Sequence, residues 1–453
     1  MKKKDQARYI ALNVLIKVNK EGKYSNISLK EALKNRDLSN RDKAFVTQLV
    51  YGCLEKQIAI DHIISKFASL KRTNPWIVNI LRLSCYQILY LDRVPDSAAV
   101  NEAVNLCKTI GLYKLQGFVN GVLRNIVRNK DKILSKDFLS KDRLEGPGHS
   151  LSLTYSYPKW LAEKWMLDYG QEIAEMIMKS PDTENFISIR VNKVLTDIDK
   201  VKNKLLEEGA LVSKGFYLDE ALRVKYTKDI EEDSLYKKGH ITVQGEASML
   251  VSHLLAPLSG ESVLDACSSP GGKATHICEL MDNKGSINAW DIHEHRVELI
   301  ERNASRMRTK ILNPKLHDAR VFDKKLKEKM DRVLLDVPCS GLGIVNSKPD
   351  IKLRITPEEI DSLVKLQASI LSTCSRYVKA GGVLVYSTCT INPDENQKMI
   401  KNFLKSNKEF YLDDPRPYLP SALNLAIQDD MIQTIPYRDK IDGFFIARMR
   451  KRL

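Results

Sequence analysis

Four short apolar runs in the second half of the chain constrain the fold most, because helical patterns separate them. The runs are SVLDAC, SINAWDI, DRVLLDVP and GGVLVYSTCT, and all are rich in branched residues. Between them lie the helix-like segments GGKATHICELM, HEHRVELIERNASRM and PEEIDSLVKLQASILSTCSRYVKAGG. Strands that alternate with helices form a mainly parallel sheet with helices on both faces. The sequence therefore predicts a doubly wound, Rossmann-like α/β domain over residues 246–453.

The N-terminal part follows a different pattern, in which apolar side chains recur at helical spacing. The segment RDKAFVTQLVYGCLEKQIAIDHIISKF, for example, places Phe45, Leu49 and Cys53 on one face. Similar patterns continue through most of residues 1–140. We therefore predict an all-α domain over that range.

A polar stretch and a mixed stretch separate these two domains. The cluster EGPGHS is rich in residues that break regular structure, so we predict a linker over residues 141–155. The following segments read as strand, amphipathic helix, and strand running into helix: FISIRVN, TDIDKVKNKLLEEG and HITVQGEASMLVSHLL. We expect a small α+β domain over residues 156–245.

The composition is that of an ordinary globular protein, with 453 residues, 43% hydrophobic and 28% charged. It holds no run of about 18 apolar residues, so no membrane span is expected. The start, MKKKDQARYIALNVLIKVNKEG, is predicted to be a helix rather than a signal peptide. Eight scattered cysteines without a CxxC pair favour reduced thiols in a cytoplasmic protein. We expect no metal, no membrane partner and a monomer.

The positive charge is unevenly distributed. The chain has a net charge of +15, and residues 1–130 contribute 23 Lys+Arg against 10 Asp+Glu, which is +13. Such asymmetry predicts that the helical domain meets a polyanion, and nucleic acid is the favoured one. The alternative is a solvated, lysine-rich surface.

The first apolar run leads into a glycine turn, DACSSPGGKATHI. Gly271 and Gly272 allow close approach of the backbone to a ligand, and Lys273 adds positive charge at a helix start. Acidic residues come at or just after four successive strands: Asp265, Asp291, Asp318 and Asp336. A carboxylate about twenty residues after the turn can accept both ribose hydroxyls. The turn matches neither G-x-G-x-x-G nor a P-loop, which disfavours a nicotinamide dinucleotide and a nucleoside triphosphate. A glycine turn with successive strand-end acids suits an adenosine-containing ligand without a triphosphate, and S-adenosylmethionine fits.

Two cysteines also follow predicted strands, Cys339 in LLDVPCSGLG and Cys389 in VLVYSTCTINPDEN. If these strands are neighbours, both thiols face one cleft together with Asp336. The other cysteines on helical patterns are predicted to be core residues: Cys53, Cys85, Cys107, Cys278 and Cys374.

A thiol, a carboxyl group and a methyl donor together suit methylation of cytosine at carbon 5. Carbon 5 is a poor nucleophile, but thiolate addition to carbon 6 turns the ring into an enamine that can take a methyl group. A carboxyl group at N3 stabilises that adduct, and a base must then remove the carbon 5 proton before the thiol leaves. Spacing alone does not decide which cysteine attacks.

The motifs DACSSPGGK, DVPCSGLG, STCT and DGFF together resemble the Sun class of RNA cytosine-5 methyltransferases. The helical N-terminal region resembles the NusB-like RNA-binding domain. The resemblance covers essentially the whole chain and implies S-adenosylmethionine as cofactor and 16S ribosomal RNA as substrate. Other implied possibilities are another RNA, such as transfer RNA, or a non-catalytic RNA-binding factor.

The resemblance also implies roles for individual residues. Cys389 would be the attacking nucleophile, Cys339 would assist product release, and Asp336 would lie near the target base. Asp291 would bind the ribose and Asp318 the adenine edge. The stretch that would hold the methionine part and sugar of the cofactor consists of Cys267, Ser268, Ser269, Pro270, Gly271, Gly272 and Lys273. The family usually has alanines where this chain has Ser268 and Ser269. It often has Gln-Asp where this chain has Gln244-Gly245.

Overall fold

The structure is a computed structural model that describes residues 3–34, 38–135, 138, 146–179, 186–226 and 230–453. The chain forms two compact units. The first comprises residues 1–179 and 345–354, and the second comprises residues 180–344 and 355–453.

The first unit is helical throughout its described residues. Its longer helices are α1 (Lys3–Asn19), α2 (Ser25–Leu33), α3 (Asn40–Glu55), α4 (Gln57–Ser65), α5 (Pro75–Tyr90), α6 (Asp96–Thr109), α7 (Gln116–Arg128), α8 (Lys130–Leu134), α9 (Pro147–Tyr155), α10 (Lys159–Tyr169) and α11 (Gln171–Met178). The apolar faces of α1 to α7 close one buried core, in which Cys53, Cys85 and Cys107 are fully buried as predicted. The predicted all-α domain is confirmed.

One difference between the sequence-based expectation and the structure comes after residue 140, where regular structure occupies part of the predicted linker. Helix α9 occupies 147–155, where a linker is predicted, whereas residues 141–145 lie outside the described residues. Pro147 stands in the first turn of α9, where its missing N–H costs nothing, so the apparent breaker starts a helix. Helices α10 and α11 fall within the first compact unit, and the extent of the middle domain over residues 156–245 stays a prediction.

A short segment from the second half of the chain also belongs to the first unit, and it carries the helix Ile351–Arg354. Asp350 accepts hydrogen bonds from the backbone N–H of Ser25 at 3.2 Å and from its hydroxyl. Lys352 is buried, donates to the carbonyl of Glu55 at 2.9 Å and lies over the ring of Tyr157. Burial lowers the pKa of Lys352 to about 7.

The second unit opens with a small antiparallel sheet. Its strands are β1 (Ile187–Val191), β2 (Leu211–Lys214), β3 (Ala221–Lys225) and β4 (Ile241–Val243), in the order β2-β3-β1-β4. Helices α12 (Ile198–Glu207) and α13 (Ser234–Lys237) accompany it. The inward faces of the strands bury an apolar cluster with α12, which is the packing that the α+β prediction requires.

The rest of the second unit is one large sheet flanked by helices. Its strands are β5 (Ser262–Asp265), β6 (Ser286–Asp291), β7 (Leu312–Leu316), β8 (Met330–Asp336), β9 (Val378–Thr388), β10 (Phe410–Leu412), β11 (Ile427–Gln428), β12 (Met431–Gln433) and β13 (Phe445–Lys451). The helices are α14 (Glu246–Leu255), α15 (Gly272–Leu280), α16 (Glu294–Arg306), α17 (Pro357–Cys374), α18 (Gln397–Ser406) and α19 (Pro436–Asp439). The main path of the sheet runs β11-β12-β13-β9-β8-β5-β6-β7.

The five strands from β7 to β9 in this order are parallel, and the remaining pairs are antiparallel. The strand order reverses at β5, which lies between β6 and β8, and ligands of doubly wound sheets bind at such a switch point. Apolar clusters cover both faces, and Cys278 and Cys374 are buried in them as predicted. The predicted fold class is confirmed. Among the helices of the described ranges, none combines the length and apolar character needed to cross a bilayer.

Candidate methyltransferase active site

The carboxyl ends of the parallel strands collect the predicted acidic residues at one edge of the sheet. Asp265, Asp291 and Asp336 are the last residues of β5, β6 and β8, and Asp318 follows β7 by two positions. Because these strands are adjacent and parallel, their ends meet at the switch point. The structure therefore brings together the acids that the sequence places at strand ends.

The glycine turn after β5 is held by several contacts. Gly271 adopts φ +94°, a left-handed conformation that favours glycine, and it starts α15. Asn303 of α16 donates to the carbonyl of Pro270 at 2.8 Å. Arg190 of β1 is fully buried and donates to the carbonyl of Gly272 at 2.9 Å. The small sheet thus fixes the turn, a role for Arg190 that no local sequence signal indicates.

Two buried polar groups at this turn lack partners. Both carboxylate oxygens of Asp265 and the hydroxyl of Ser268 have no hydrogen-bond partner among the described residues. Burial raises the pKa of Asp265 to about 7, and the Ser268 hydroxyl opposes this shift without reaching hydrogen-bond geometry. Unsatisfied buried polar atoms at a switch point fit a ligand with amino and hydroxyl groups. The residues present therefore suit an amino acid nucleoside such as S-adenosylmethionine.

The next two strand ends differ in their surroundings. Asp291 is 6% exposed and accepts the backbone N–H of His293 at 3.1 Å, while Arg296 is 4.0 Å from its second oxygen. Asp318 is more exposed and is bound by Arg320 at 2.7 Å. The hydrogen bond from the Arg320 side chain holds the pKa of Asp318 below its usual value. Asp291 thus keeps one oxygen more available than either oxygen of Asp318.

Asp336 lies between two donors. Lys273 Nζ donates to its Oδ2 at 2.7 Å, and the hydroxyl of Ser387 on β9 donates to its Oδ1 at 2.8 Å. Lys273 also lies over the ring of Phe444 in the DGFF motif. A carboxylate with two such donors is fixed in orientation. The glycine turn and the end of β8 are thereby joined through one ion pair.

The two strand-end cysteines meet directly. Strands β8 and β9 are paired, and Cys339 Sγ lies 3.3 Å from Cys389 Sγ. Both residues are partly exposed. The hydrogen bond with Cys389, together with burial, raises the pKa of the Cys339 thiol well above its usual value. The predicted adjacency of the two thiols is thus found in the structure.

A buried glutamate, which the sequence analysis did not single out, supports both cysteine loops. Glu395 is fully buried and accepts from the backbone N–H of Ser340 at 2.8 Å and from its hydroxyl at 2.5 Å. It also accepts from Gln367 and from Asn392, each at 3.0 Å. The only local signal was the segment INPDEN after Cys389. Glu395 therefore links the residue after Cys339 to the loop after Cys389.

Two glycines bring three loops into contact. Gly343 donates its N–H to the carbonyl of Cys389 at 3.0 Å, and its carbonyl accepts the N–H of Gly443 at 2.9 Å. A Cβ at Gly343 would overlap the Gly443 carbonyl, and one at Gly443 would lie 2.8 Å from Gly343 Cα. The glycine of DGFF thus serves backbone packing behind the thiols.

The polar side chains on either side of Gly245, Gln244 and Glu246, make defined contacts. Glu246 accepts three backbone N–H groups, from Phe216 at 2.6 Å, Tyr217 at 2.8 Å and Leu218 at 2.9 Å. Gln244 accepts a hydrogen bond from Arg190, the residue that also holds the glycine turn. These two side chains fasten the β2–β3 connection and the turn to the start of α14.

Family comparisons agree with this architecture. Residues 5–128 match the NusB family, residues 157–231 match the ferredoxin-like domain of RsmF/B-like methyltransferases, and residues 252–450 match the family described as 16S rRNA methyltransferase RsmB/F. The fold thus defines a methyltransferase with a NusB-like helical domain.

Relatives that match the full length of the chain specify the kind of methyltransferase. The Bacillus subtilis protein named "Probable ribosomal RNA small subunit methyltransferase B" is 38% identical, covering 99% of this chain and 100% of the relative. Ribosomal RNA small subunit methyltransferase B of Shewanella oneidensis is 31% identical over 98% and 99%. The crystal structure of PH0851 superposes with a TM-score of 0.80 at 28% identity, covering 100% of this chain and 99% of that one. The chain belongs to the 16S rRNA methyltransferase RsmB/F family.

Proposed function

We propose that this protein uses S-adenosylmethionine to methylate carbon 5 of a cytosine in 16S ribosomal RNA, acting as a cytoplasmic monomer. Family membership supports the reaction class and the substrate. The observation that supports carbon 5 as the methylated atom is the 3.3 Å separation between the sulfur atoms of Cys339 and Cys389, on the same strand ends as Asp336 and its partner Ser387. Nitrogen and oxygen acceptors already have nucleophilic lone pairs, whereas carbon 5 needs activation by a covalent nucleophile.

In this proposal the sulfur of Cys389 bonds to carbon 6 of the cytosine, and its thiol proton passes by way of the Asp336 carboxylate to N3 of the ring. The electron pair of the 5,6 double bond then becomes available at carbon 5. Cys339 holds its proton firmly, since its pKa is raised, so it is suited to donate a hydrogen bond to its neighbour rather than to attack. Asp336, fixed by Lys273 and Ser387, orients the base at N3.

In the release step the two cysteines have different roles. After methyl transfer, the carbon 5 proton passes to solvent water and the 5,6 double bond re-forms as the carbon–sulfur bond breaks. The departing sulfur of Cys389 regains its proton from N3 by way of Asp336. We assign assistance in this step to Cys339, which keeps its own proton and donates a hydrogen bond to the departing sulfur 3.3 Å away. The Glu395 network keeps both loops in place during the two steps.

The cofactor would be held by the glycine turn and the strand-end acids. When bound, S-adenosylmethionine supplies an electrophilic methyl group. Asp291 would accept the ribose hydroxyls and Asp318 would lie at the adenine edge, after exchange of its contact with Arg320. The unsatisfied Asp265 and Ser268 would meet polar groups of the methionine part and sugar. The stretch from Cys267 to Lys273 completes the set: Cys267, Ser268, Ser269, Pro270, Gly271, Gly272 and Lys273.

The test is to map the methylated nucleotide in the RNA product. Full-length protein, S-adenosylmethionine and 16S rRNA are incubated, and the RNA is analysed by bisulfite sequencing. We expect one or more protected cytosines with the wild type and none with Cys389→Ala. Cys107→Ala, a buried cysteine far from this chemistry in sequence, serves as the matched control and should retain the product.

Three results would contradict the proposal. A methylated nucleotide that is not a cytosine modified at carbon 5 would reject the acceptor atom. Methylation of transfer RNA but not 16S rRNA would reject the substrate. Full activity of Cys389→Ala would reject the nucleophile.

A further inference from the structure

Three side chains that the proposed methyl transfer does not use converge elsewhere in the second unit. Glu220 precedes β3, His253 lies in α14 and His276 lies in α15. Their nearest donor atoms all lie within 4.8 Å of one another. Glu220 and His276 are buried, and His253 is half-buried. The spacing of these three residues does not match a short metal-binding motif, because 33 and 23 positions separate them in the sequence.

Both imidazoles direct a nitrogen to the same carboxylate oxygen. His253 Nε2 is 2.6 Å from Glu220 Oε1, and His276 Nε2 is 3.4 Å from that oxygen. The other ring nitrogen of His276, Nδ1, is buried and has no hydrogen-bond partner among the described residues. The nitrogen of His276 that is directed at Glu220 is Nε2, so Nδ1 lies outside the possible ligand set. Two imidazole nitrogens and one carboxylate oxygen are a recognised ligand set for zinc.

Two of the three separations between ligand atoms can be compared with those of a zinc site, and the third is no more than 4.8 Å. Bonds of about 2.0–2.2 Å in a tetrahedron separate neighbouring ligand atoms by roughly 3.3–3.6 Å. The His276–Glu220 separation of 3.4 Å already has this length. The His253–Glu220 separation of 2.6 Å must widen by roughly 1 Å or less, and the His253 side chain is 27% exposed and so has room to move.

The cluster is reachable from solvent. A cleft of about 380 Å³ is lined by all three side chains and by Lys193. The Lys193 ammonium is 3.5 Å from Glu220 Oε2, but it is 56% exposed and can turn into water when a cation binds. Water in the cleft can occupy the fourth coordination position, as in zinc sites with three protein ligands.

We propose that Glu220, His253 and His276 form a zinc-binding site whose fourth ligand is water. Nitrogen donors favour zinc over magnesium or calcium, which prefer oxygen ligands. The ion would join the connection before β3 of the small sheet to α14 and α15 of the large domain. This proposal stands apart from the methyl transfer, since none of the three residues is assigned to it, and it replaces the sequence-based expectation that the protein holds no metal.

The test uses full-length protein stripped with a chelator and titrated calorimetrically with zinc chloride. We expect one zinc ion per chain, and at least a tenfold loss of affinity in His253→Gln and in Glu220→Gln. His240→Gln removes a histidine of the same unit outside the cluster and should bind normally. At zinc concentrations about one hundred times Kd, the melting temperature should rise by about 5 °C in the wild type and not in His253→Gln.

Cobalt distinguishes this site from the two active-site thiols. The cobalt-loaded protein should show ligand-field bands without thiolate-to-metal charge transfer, and a Cys339→Ser, Cys389→Ser double variant should keep them. His276→Gln alters a buried ring, so its folding is checked by circular dichroism before titration. Failure of the chelated wild type to bind one equivalent of zinc would overturn the proposal. Equal binding by all three cluster variants, or a thiolate spectrum lost in the double cysteine variant, would also overturn it.

Discussion

Cys339 Sγ lies 3.3 Å from Cys389 Sγ, although fifty residues separate them in the chain. The pairing of β8 with β9 brings the two cysteines to the same edge of the sheet. Hydrogen bonds from Glu395 and from the backbone of Gly343 hold the loops that carry them. A thiol that acts next to another thiol can share the work of attack and release. The pair therefore predicts different outcomes when each cysteine is replaced.

Replacement of Cys339 by alanine should trap the protein on its RNA. If Cys389 forms the adduct and Cys339 helps to break it, Cys339→Ala should accumulate a covalent complex that survives a denaturing gel. Cys389→Ala should give no complex, and the double variant should resemble Cys389→Ala. A complex formed by Cys389→Ala and absent from Cys339→Ala would mean that the two roles are reversed.

Replacement of Asp291 by alanine should weaken cofactor binding. A buried carboxylate makes charge-assisted hydrogen bonds worth roughly 1.5–3 kcal/mol, so the affinity for S-adenosylmethionine should fall about tenfold or more. Calorimetric titration measures this loss directly. Glu294→Ala removes an exposed carboxylate three residues later and should leave the affinity unchanged. Equal affinities in the wild type and Asp291→Ala would refute the ribose role.

A methyl group at Gly343 should disable the thiol pair. Its Cβ would overlap the carbonyl of Gly443, so the loop that bonds to Cys389 must move. We expect Gly343→Ala to lose at least a hundredfold in the rate of adduct formation, roughly the effect of a 1 Å misplacement in an active site. Gly121→Ala is the control, because nothing lies within 4 Å of its Cβ, and it should slightly raise thermal stability. Adduct formation at the wild-type rate in Gly343→Ala would contradict the packing argument.

The buried Lys352 should make the stability of the first unit depend on pH. Its folded-state pKa is lowered to about 7 from 10.5, so between these values the unfolded chain binds more protons and stability rises with pH. From pH 7 to pH 9 the free energy of unfolding should increase by about 2 kcal/mol. Below pH 6 this pH dependence should be absent, because Lys352 is charged in both the folded and the unfolded state.

Urea unfolding followed by tryptophan fluorescence provides the measurement. Lys352→Met removes the titrating group and keeps an unbranched side chain that is one heavy atom shorter, so the difference between the two pH profiles isolates the titration of Lys352. Parallel profiles for the wild type and Lys352→Met would show that this lysine does not govern the pH dependence.

RNA binding by the first unit should depend on an exposed basic stripe at α7. Arg124 and Arg128 lie one turn apart and are exposed, as is Lys114 just before the helix. Tyr113 and Phe118 are 64% and 40% exposed and offer rings for stacking on bases. Charge on this surface accounts for part of the +13 carried by residues 1–130.

A triple change of Lys114, Arg124 and Arg128 to alanine should weaken RNA binding. It should also flatten the plot of log affinity against log salt by about one for each phosphate that the variant no longer neutralises. The matched control removes three exposed lysines of the second unit: Lys324, Lys327 and Lys329. The substitutions are preferable to truncation, because residues 345–354 pack within this unit. Equal slopes for the two triple variants would leave the basic stripe as a solubility feature.

Local patterns in the sequence were sufficient to predict most elements and the ends of the strands. The side-chain period of β5, β6, β8 and β9 differs from that of the surrounding helices, and each strand end is marked by a polar residue. Parallel strands bring their carboxyl ends to one edge, so the collection of Asp265, Asp291 and Asp336 could be predicted before any tertiary contact was known.

Boundaries were less predictable. Pro147 reads as a breaker in a one-dimensional pattern, but at the first turn of α9 it starts a helix. The bounds of the middle domain stay a prediction, because the amphipathic faces of α10 and α11 specify that these helices are buried without specifying the element against which they pack.

The tertiary structure alone decided the contacts between distant residues. The 3.3 Å separation of the two thiols, the donors that converge on Glu395 and the approach of Gly343 to Gly443 each join loops far apart in sequence. The same is true of the proposed zinc ligands around Glu220, whose spacing matches no metal motif. Sequence periodicity reports how a segment buries its apolar face, whereas such distances depend on how several buried faces pack at once.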